Sequence, residues 1–488
     1  MRLQALLDPG VTVRGEAWQQ VEITGLAADS RRIGPGMLFA ALPGSKADGR
    51  AFVGEALARG AAAVLADPSL ADAGLPVPLV LDPAPRRRLA LMAARFFGRQ
   101  PRCIASVTGT NGKTSVVSFT RQIWARQQLP AASLGTLGLE APGHRDETGL
   151  TTPDPVRLQA LLATLAAEGV EHVALEASSH GLDQQRLDGV RFTAAAFTNL
   201  SRDHFDYHGS AAAYFAAKRR LFAELLPAGG TAVLNADQPE FEDLAALCHT
   251  RGIEVLDYGR RAERIRLLAQ HPHTSGQMLE VSVEGRDAHV ETALVGNFQA
   301  ANLLAGLGLV LATGGNVTTS AEALAYVEGA RGRLQEVARH PCGAPVFVDY
   351  AHTPDALSQV LQALRPHTAG RLWVVFGCGG DRDPGKRPVM GEIAARLGDR
   401  VIVTDDNPRT EEPGSIRRAI LAASPGALEI GDRAQAIRTA LAGLQPGDVL
   451  VIAGKGHESG QIVGQVRLPF DDALEARKAL AELAGAPA

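Results

Sequence analysis

Short apolar runs alternate with stretches of helical period along almost the whole chain. That alternation predicts strands and helices layered around parallel sheets, an α/β fold. Residues 1–100 hold three strand-like runs, MLFAAL, AAAVLA and VPLVLD, closed by a helical RRLALMAARFFG, and Gln100-Pro101 punctuates the end of the block. A second block opens with CIASV and continues through HVALEA, AAAFTN and TAVLNA as buried strands. It carries an alternating MLEVSVEG within 265–295 and then a helical VGNFQAANLLAGLGLVLA. From 331 onward PVFVDY, LWVVFG, RVIVTD and DVLVIAG read as strands, with ALSQVLQAL, MGEIAARLG, IRRAILAA and QAIRTALAGL as helices between them. That is the pattern of a Rossmann-like open sheet. No internal repeat is visible.

Length and composition sharpen this picture. With 488 residues the chain is long enough for about three domains, each with a full core. The expected division is a smaller N-terminal α/β domain (1–100), a central sheet (101–330) and a C-terminal Rossmann-like domain (331–488). A formal net charge of -4 gives no electrostatic footprint for nucleic acid. No apolar run is long enough to span a bilayer, and MRLQALLDPG lacks a signal-peptide core. Cys103, Cys248, Cys342 and Cys378 are far apart with no Cys-x-x-Cys, so neither a zinc site nor a disulfide framework is expected. A cytoplasmic location fits.

The first chemistry lies in SVTGTNGKTSV, residues 106–116. An apolar strand ending at Val107 runs into a Gly-rich turn, and a helix begins near Lys113. Gly109 and Gly112 let backbone N–H groups approach an anion, and the helix N-terminus adds its positive end. Lys113 reaches for β/γ phosphates and the Thr114 hydroxyl for Mg²⁺, so the central block reads as a P-loop-type ATPase sheet. The spacing departs from G-x-x-x-x-G-K-[ST]: Val107 stands at the first Gly position and the Gly is at 109.

The variant TGTNGKT resembles the loop of Mur ligases and folylpolyglutamate synthetases. An ordered set extends the resemblance to the Mur ligases along nearly the whole chain: ADSR, ADGR, TTPDP, LEASSHGLDQQR, TNLSRDHFDYHG, AAKRRLF, GNFQAAN, GRLQEV, DYAHTPD, GCGGDRDPGKRP, DDNPRTEEP and AGKGHE. The resemblance implies an ATP-dependent, Mg²⁺-requiring ligase of peptidoglycan synthesis, monomeric and cytoplasmic. In it a substrate carboxylate attacks the γ-phosphate to give an acyl phosphate, and an amine then displaces phosphate. By the same resemblance Gly109, Thr110, Asn111, Gly112, Lys113, Thr114 and Ser115 bind ATP, with Asn297, Asn302, Arg333 and Asp349 on the nucleoside side. Helix capping is the alternative role for Asn297. Lys113, Glu176, His204 and Lys218 are the implied catalytic set. Thr114, Glu176, His204 and Lys218 are the implied metal set. Lys218, expected one turn into a helix, is carbamylated (N6-carboxylysine) in the family.

The implied acceptor is UDP-N-acetylmuramoyl-L-alanyl-D-glutamate, contacted by Ser30, Ser45, Lys46, Ala47, Thr151, Thr152, Ser178, Gln184 and Arg186. Ser45-Lys46-Ala47 departs from the relatives, which often show His first. The implied amino acid is meso-diaminopimelate, met by Arg382, Asp406, Asn407, Pro408, Arg409, Gly454 and Glu458. A bidentate Arg suits the second carboxylate, which lysine lacks. Three alternatives stand beside this reading: a lysine-adding Mur ligase, a folylpolyglutamate synthetase-like ligase, and a non-catalytic nucleotide switch. The switch would need none of Glu176, His204 and Lys218.

Overall fold

The structure, a computed structural model, describes residues 1–44, 48–146, 149–201 and 203–483. The chain forms two compact units: 1–257 with 308–315, and 258–307 with 316 onward.

The first unit contains two sheets. Near the N-terminus, Gly25–Ala27, Met37–Ala40, Ala63–Ala66 and Leu79–Leu81 run parallel, and Thr12–Arg14 closes the Leu79 edge antiparallel. The helix Pro85–Phe97 starts with Pro in its first turn, where the missing N–H costs nothing, and buries Leu89, Ala90, Met92 and Ala93. The second sheet has Cys103–Thr108 at its centre, paired in parallel with His172–Glu176 on one side and Ala194–Phe197 on the other. Thr231–Asn235 follows Ala194–Phe197, and Ala131–Gly135 follows His172–Glu176. All five strands are buried along their length, as a sheet covered on both faces requires. The helix Lys113–Arg126 packs on it through Val116, Val117, Phe119, Ile123 and Trp124.

The second unit opens with an antiparallel meander, Ile265–His273, Gly276–Val283 and Arg286–Thr292. The middle strand alternates buried and half-buried residues, matching the polar alternation of MLEVSVEG. The C-terminal sheet orders its strands Gln335–Arg339, Pro345–Asp349, Val449–Ala453, Leu372–Phe376, Arg400–Val403 and Leu428–Glu429. Only the first is antiparallel to its neighbour. The intervening helices are capped by the residues that favour the position: Thr353 accepts from the Ala356 N–H and Asp432 from the Gln435 N–H. Among the described residues no helix is long and apolar enough to cross a membrane.

Candidate functional site

Three parallel strands of the first unit end side by side, so the loops after them meet at one sheet edge. In the register Glu176 lies opposite Val107, and Phe197 opposite Thr108. The central strand runs one residue past Val107, to Thr108. Gly109 then turns at φ 144° against the next loop: a Cβ there would lie 1.9 Å from Thr198 Oγ1, so no other residue fits. Gly112 occupies the left-handed region at φ 86°, and the helix starts at Lys113 as its sequence predicts. The loop is braced by its neighbour. The Thr110 N–H donates to Asn199 O (2.8 Å), the Asn111 N–H to Asn199 Oδ1 (2.9 Å), and Thr198 Oγ1 to Asn111 O (2.6 Å). Thr114 and Ser115 are buried in the first helical turn, whose N–H groups have no intrahelical acceptors.

Two lysines converge on this loop. Lys113 Nζ donates to Gly109 O (2.9 Å) and Thr110 O (2.7 Å). Lys218 Nζ donates to the same Gly109 O at 2.7 Å from a side chain only 1% exposed. Burial, and secondarily the Lys113 charge, bring the Lys218 amine down to about 6. Lys218 therefore sits beside the loop largely as a neutral amine. It lies in the last turn of the helix Ala211–Arg220, not one turn in, because the chain enters the helix at the Ser210 cap eight residues earlier. Tyr214, one turn back, carries the Lys218 Nζ 4.2 Å above its ring and places its hydroxyl 3.3 Å from Thr110 Oγ1.

Glu176 is buried at its strand end. Oε1 accepts from the Thr136 N–H (2.8 Å) and Oε2 from the Thr136 hydroxyl (3.2 Å). Thr136 Oγ1 is 3.0 Å from Thr151 Oγ1. Thr152 is at the centre of the adjoining group: its hydroxyl donates to Glu176 O and accepts from the Ser178 N–H, while its carbonyl accepts from Arg186 Nη1 (2.7 Å). Arg186 also holds Gln184 Oε1 at 2.6 Å. Thr151, Thr152, Ser178, Gln184 and Arg186 thus form one connected polar group next to Glu176. His204 is at the entry to a short helix, in the left-handed region at φ 52°. Its ring lies edge-on to His180 (4.8 Å) and its Nε2 is 3.4 Å from Asp203 Oδ2. Among the described residues no three His, Cys, Asp or Glu side chains form a metal cluster. Ser30 is buried with its hydroxyl given to Glu55 Oε2 (2.8 Å). Ser45, Lys46 and Ala47 lie outside the described residues.

The second unit holds the remaining candidates. Asn297 is the first residue of the helix Asn297–Ala312, so Gly296, not Asn297, stands at the cap. Asn302 is buried and donates to Gln299 Oε1 (3.0 Å). Asp349 ends its strand and accepts the Leu334 and Ala351 N–H groups, both at 2.7 Å. Burial raises its carboxyl, against the pull of Arg333. Arg333 itself stacks over the Tyr350 ring at 4.8 Å.

Loops after three neighbouring strands of the C-terminal sheet gather the other residues. Arg409 takes φ 51°, its N–H donating to Ile462 O (3.0 Å) and its Nη1 to Gly380 O (2.8 Å). Gly380 accommodates Pro408 O where a Cβ would be 1.9 Å away. Arg382, in the same loop as Gly380, is exposed. Asp406 and Asn407 are buried, and Asn407 Nδ2 donates to Glu458 Oε2 (3.0 Å). Gly454 turns away from its strand at φ 116°. At the centre is a residue the motif reading passed over, Lys455, fully buried against Asp406, Asn407 and Gly460. Thr136 and Tyr214 were missed for the same reason, as single residues whose partners are remote in sequence.

The fold and the braced loop define a class of protein, the α/β proteins that cradle phosphate where a strand passes through a Gly turn into a helix. Three family descriptions narrow this: "Mur ligase family, catalytic domain" matches residues 22–96, "Mur ligase middle domain" 107–310, and "Mur ligase, glutamate ligase domain" 332–456. The UDP-N-acetylmuramoyl-L-alanyl-D-glutamate--2,6-diaminopimelate ligase of Caulobacter vibrioides is 55% identical over 94% of this chain and 95% of its own. That of Bradyrhizobium diazoefficiens is 52% identical over 99% of both. A solved structure of a ligase of the same name superposes with a TM-score of 0.73 at 35% identity, covering 96% of this chain and 97% of that one. The chain belongs to the Mur ligase family. A folylpolyglutamate synthase of Mycobacterium tuberculosis, solved with ADP and AMPPCP, shares the fold at a TM-score of 0.62 and 19% identity, over 83% of this chain and 96% of its own.

Proposed function

We propose that the chain is an ATP-dependent amide-bond-forming ligase that joins meso-diaminopimelate to UDP-N-acetylmuramoyl-L-alanyl-D-glutamate, in the cytoplasmic synthesis of peptidoglycan precursor. The observation that carries the choice of amino acid is that Arg409 and the hydrogen-bonded Asn407 and Glu458 come from loops that follow neighbouring strands of the C-terminal sheet. A guanidinium fork reads a carboxylate and a carboxylate reads an ammonium, which together describe the free amino-acid end of diaminopimelate. A lysine side chain offers only the ammonium. The names of the full-length relatives agree with this reading. We assign 1–100 to the UDP-sugar, 101–330 to ATP and 331–488 to the amino acid.

Within that assignment the residues act as follows. The N–H groups at the start of the helix Lys113–Arg126 cradle phosphate, and Lys113 leaves its two loop carbonyls to meet charge building on the γ-phosphate. Asn297, Asn302, Arg333 and Asp349 take the nucleoside side. The donor set suits Mg²⁺: one buried carboxylate, Glu176, and one buried hydroxyl, Thr114, beside a phosphate loop, the sparse protein ligation this ion prefers. With His204 and a carboxylated Lys218, these residues would hold the ion, which screens phosphate charge when bound. As an ammonium Lys218 would oppose a cation. As a neutral amine its nitrogen lone pair attacks CO₂, a proton leaves, and the side chain becomes an anion. Thr151, Thr152, Ser178, Gln184 and Arg186 orient the acceptor so that its carboxylate faces the γ-phosphate.

The test is ADP release with the acceptor present and each amino acid added in turn. Diaminopimelate supports turnover and lysine does not. Turnover with lysine alone would establish the lysine-adding reading. Turnover with glutamate on a folate acceptor would establish the folylpolyglutamate one. For Lys218 the expected result is uptake of one ¹³C label from bicarbonate, lost in Lys218→Ala, with part of the activity restored by short carboxylic acids. An unlabelled, fully active enzyme would disprove the carboxylation.

A further inference from the structure

Lys455 has three donors and no acceptor. Two are given to oxygens, Asn407 Oδ1 at 2.8 Å and Gly460 O at 3.0 Å, and the ammonium is ion-paired with Asp406 Oδ1 at 3.2 Å, with the side chain wholly buried. Its ammonium is therefore enclosed and held inside the protein. Its effect is on its partners. Asn407 Oδ1 also accepts the Ile462 N–H at 2.9 Å. With two donors converging on that atom, a flipped amide would set its NH₂ against an ammonium and an N–H. The orientation is thereby determined, and Nδ2 must point to Glu458 Oε2, where it donates at 3.0 Å. The same strand, Gly460–Val463, also positions Arg409, through the Arg409 N–H on Ile462 O (3.0 Å) and the Gly464 N–H on Arg409 O (2.7 Å).

We propose that Lys455 is a positioning residue for the amino-acid substrate, setting the Asn407 amide and the Gly460–Val463 strand so that Glu458 and Arg409 are presented together. The proposal rests on the diaminopimelate reading of this site. Lys455 acts through Asn407, Gly460 and Asp406, so its removal should loosen recognition of one substrate alone.

The experiment measures KM for diaminopimelate and for ATP in the full-length parent, Lys455→Met and Lys455→Gln, with melting curves beside them. Met matches the length without a donor. Gln keeps a polar head and serves if Met fails to fold. The expected result is a rise of about tenfold or more in KM for diaminopimelate in Lys455→Met, because small misplacements of orienting groups are felt strongly. Gln should give a smaller rise, with KM for ATP unchanged in both. An unchanged KM for diaminopimelate in a folded variant, or an equal rise for ATP, overturns the proposal. A parent that turns over without diaminopimelate overturns the functional reading beneath it as well. A parent that needs diaminopimelate while both variants keep its KM overturns this inference alone.

Discussion

Lys113→Ala lowers kcat by about 10²- to 10³-fold, the usual consequence of removing one preorganised donor from developing transition-state charge. The fold survives the change. Lys113 lies in the first turn of its helix, outside the row Val116, Phe119, Ile123 that packs on the sheet, and its ammonium donates to the loop carbonyls of Gly109 and Thr110. Gly109 O keeps the Lys218 amine as donor, and the braces from Thr198 and Asn199 do not involve Lys113. A second consequence distinguishes this variant from a simple loss of phosphate contact. The Lys113 charge is one of the two causes that hold Lys218 down, so its removal lets the Lys218 amine rise. At neutral pH more of Lys218 is then an ammonium, and less of it is available to take up CO₂. Lys113→Ala should incorporate less ¹³C label than the parent. ADP release, a melting curve and the label together decide the matter. Near-parental turnover would remove Lys113 from phosphate handling, and a collapsed melting curve would make its role structural.

Much of the fold was legible because buried parallel strands are written as continuous apolar runs and their helices as amphipathic periods. HVALEA, AAAFTN, LWVVFG and DVLVIAG each lie on an observed strand. Ala131–Gly135 was not legible: AASLG has one large apolar residue and no β-branched one, and it is a strand because it pairs with His172–Leu175 on one side and Gly138–Glu140 on the other. The hairpin Gly460–Val463 with Val466–Pro469 was equally hidden, being short and half-polar, although it anchors Arg409. Gly109, Lys113, Glu176 and Arg409 stood out because each lies in a short segment of distinctive composition, although Glu176 and Arg409 also bond to residues 40 and 29 positions away. Lys455 and Thr136 depend on partners 48 and 40 residues away, and one sequence carries no record of such pairings. The buried Arg433–Asp472 pair, 39 residues apart and fully enclosed, is of the same kind. A lone lysine reads as a solvated one until the fold buries it.

Arg409→Ala loses roughly 30- to 900-fold in kcat/KM for diaminopimelate, the equivalent of about 2–4 kcal/mol when one partner of a partly desolvated charge pair is removed. The backbone at Arg409 is held independently of its side chain, by Ile462 O and the Gly464 N–H, and the left-handed φ of 51° is no worse for Ala than for Arg. The loop therefore keeps its course. What disappears is the guanidinium and its loop contacts from Nη1 to Gly380 O (2.8 Å) and Asn407 O (3.5 Å). KM for ATP and for the UDP-linked acceptor should stay at parental values, since neither depends on this loop in the assignment made above. Lysine has no second carboxylate, so its slow use should change little, and the ratio of the two specificity constants narrows. Arg409→Lys separates charge from geometry: an ammonium keeps the attraction but not the parallel pair of donors, and should recover only part of the loss. Equal losses for diaminopimelate and lysine would mean that Arg409 shapes the loop through Gly380 O and does not read the carboxylate. No loss for either would move recognition of that carboxylate to Arg382, the exposed arginine of the neighbouring loop.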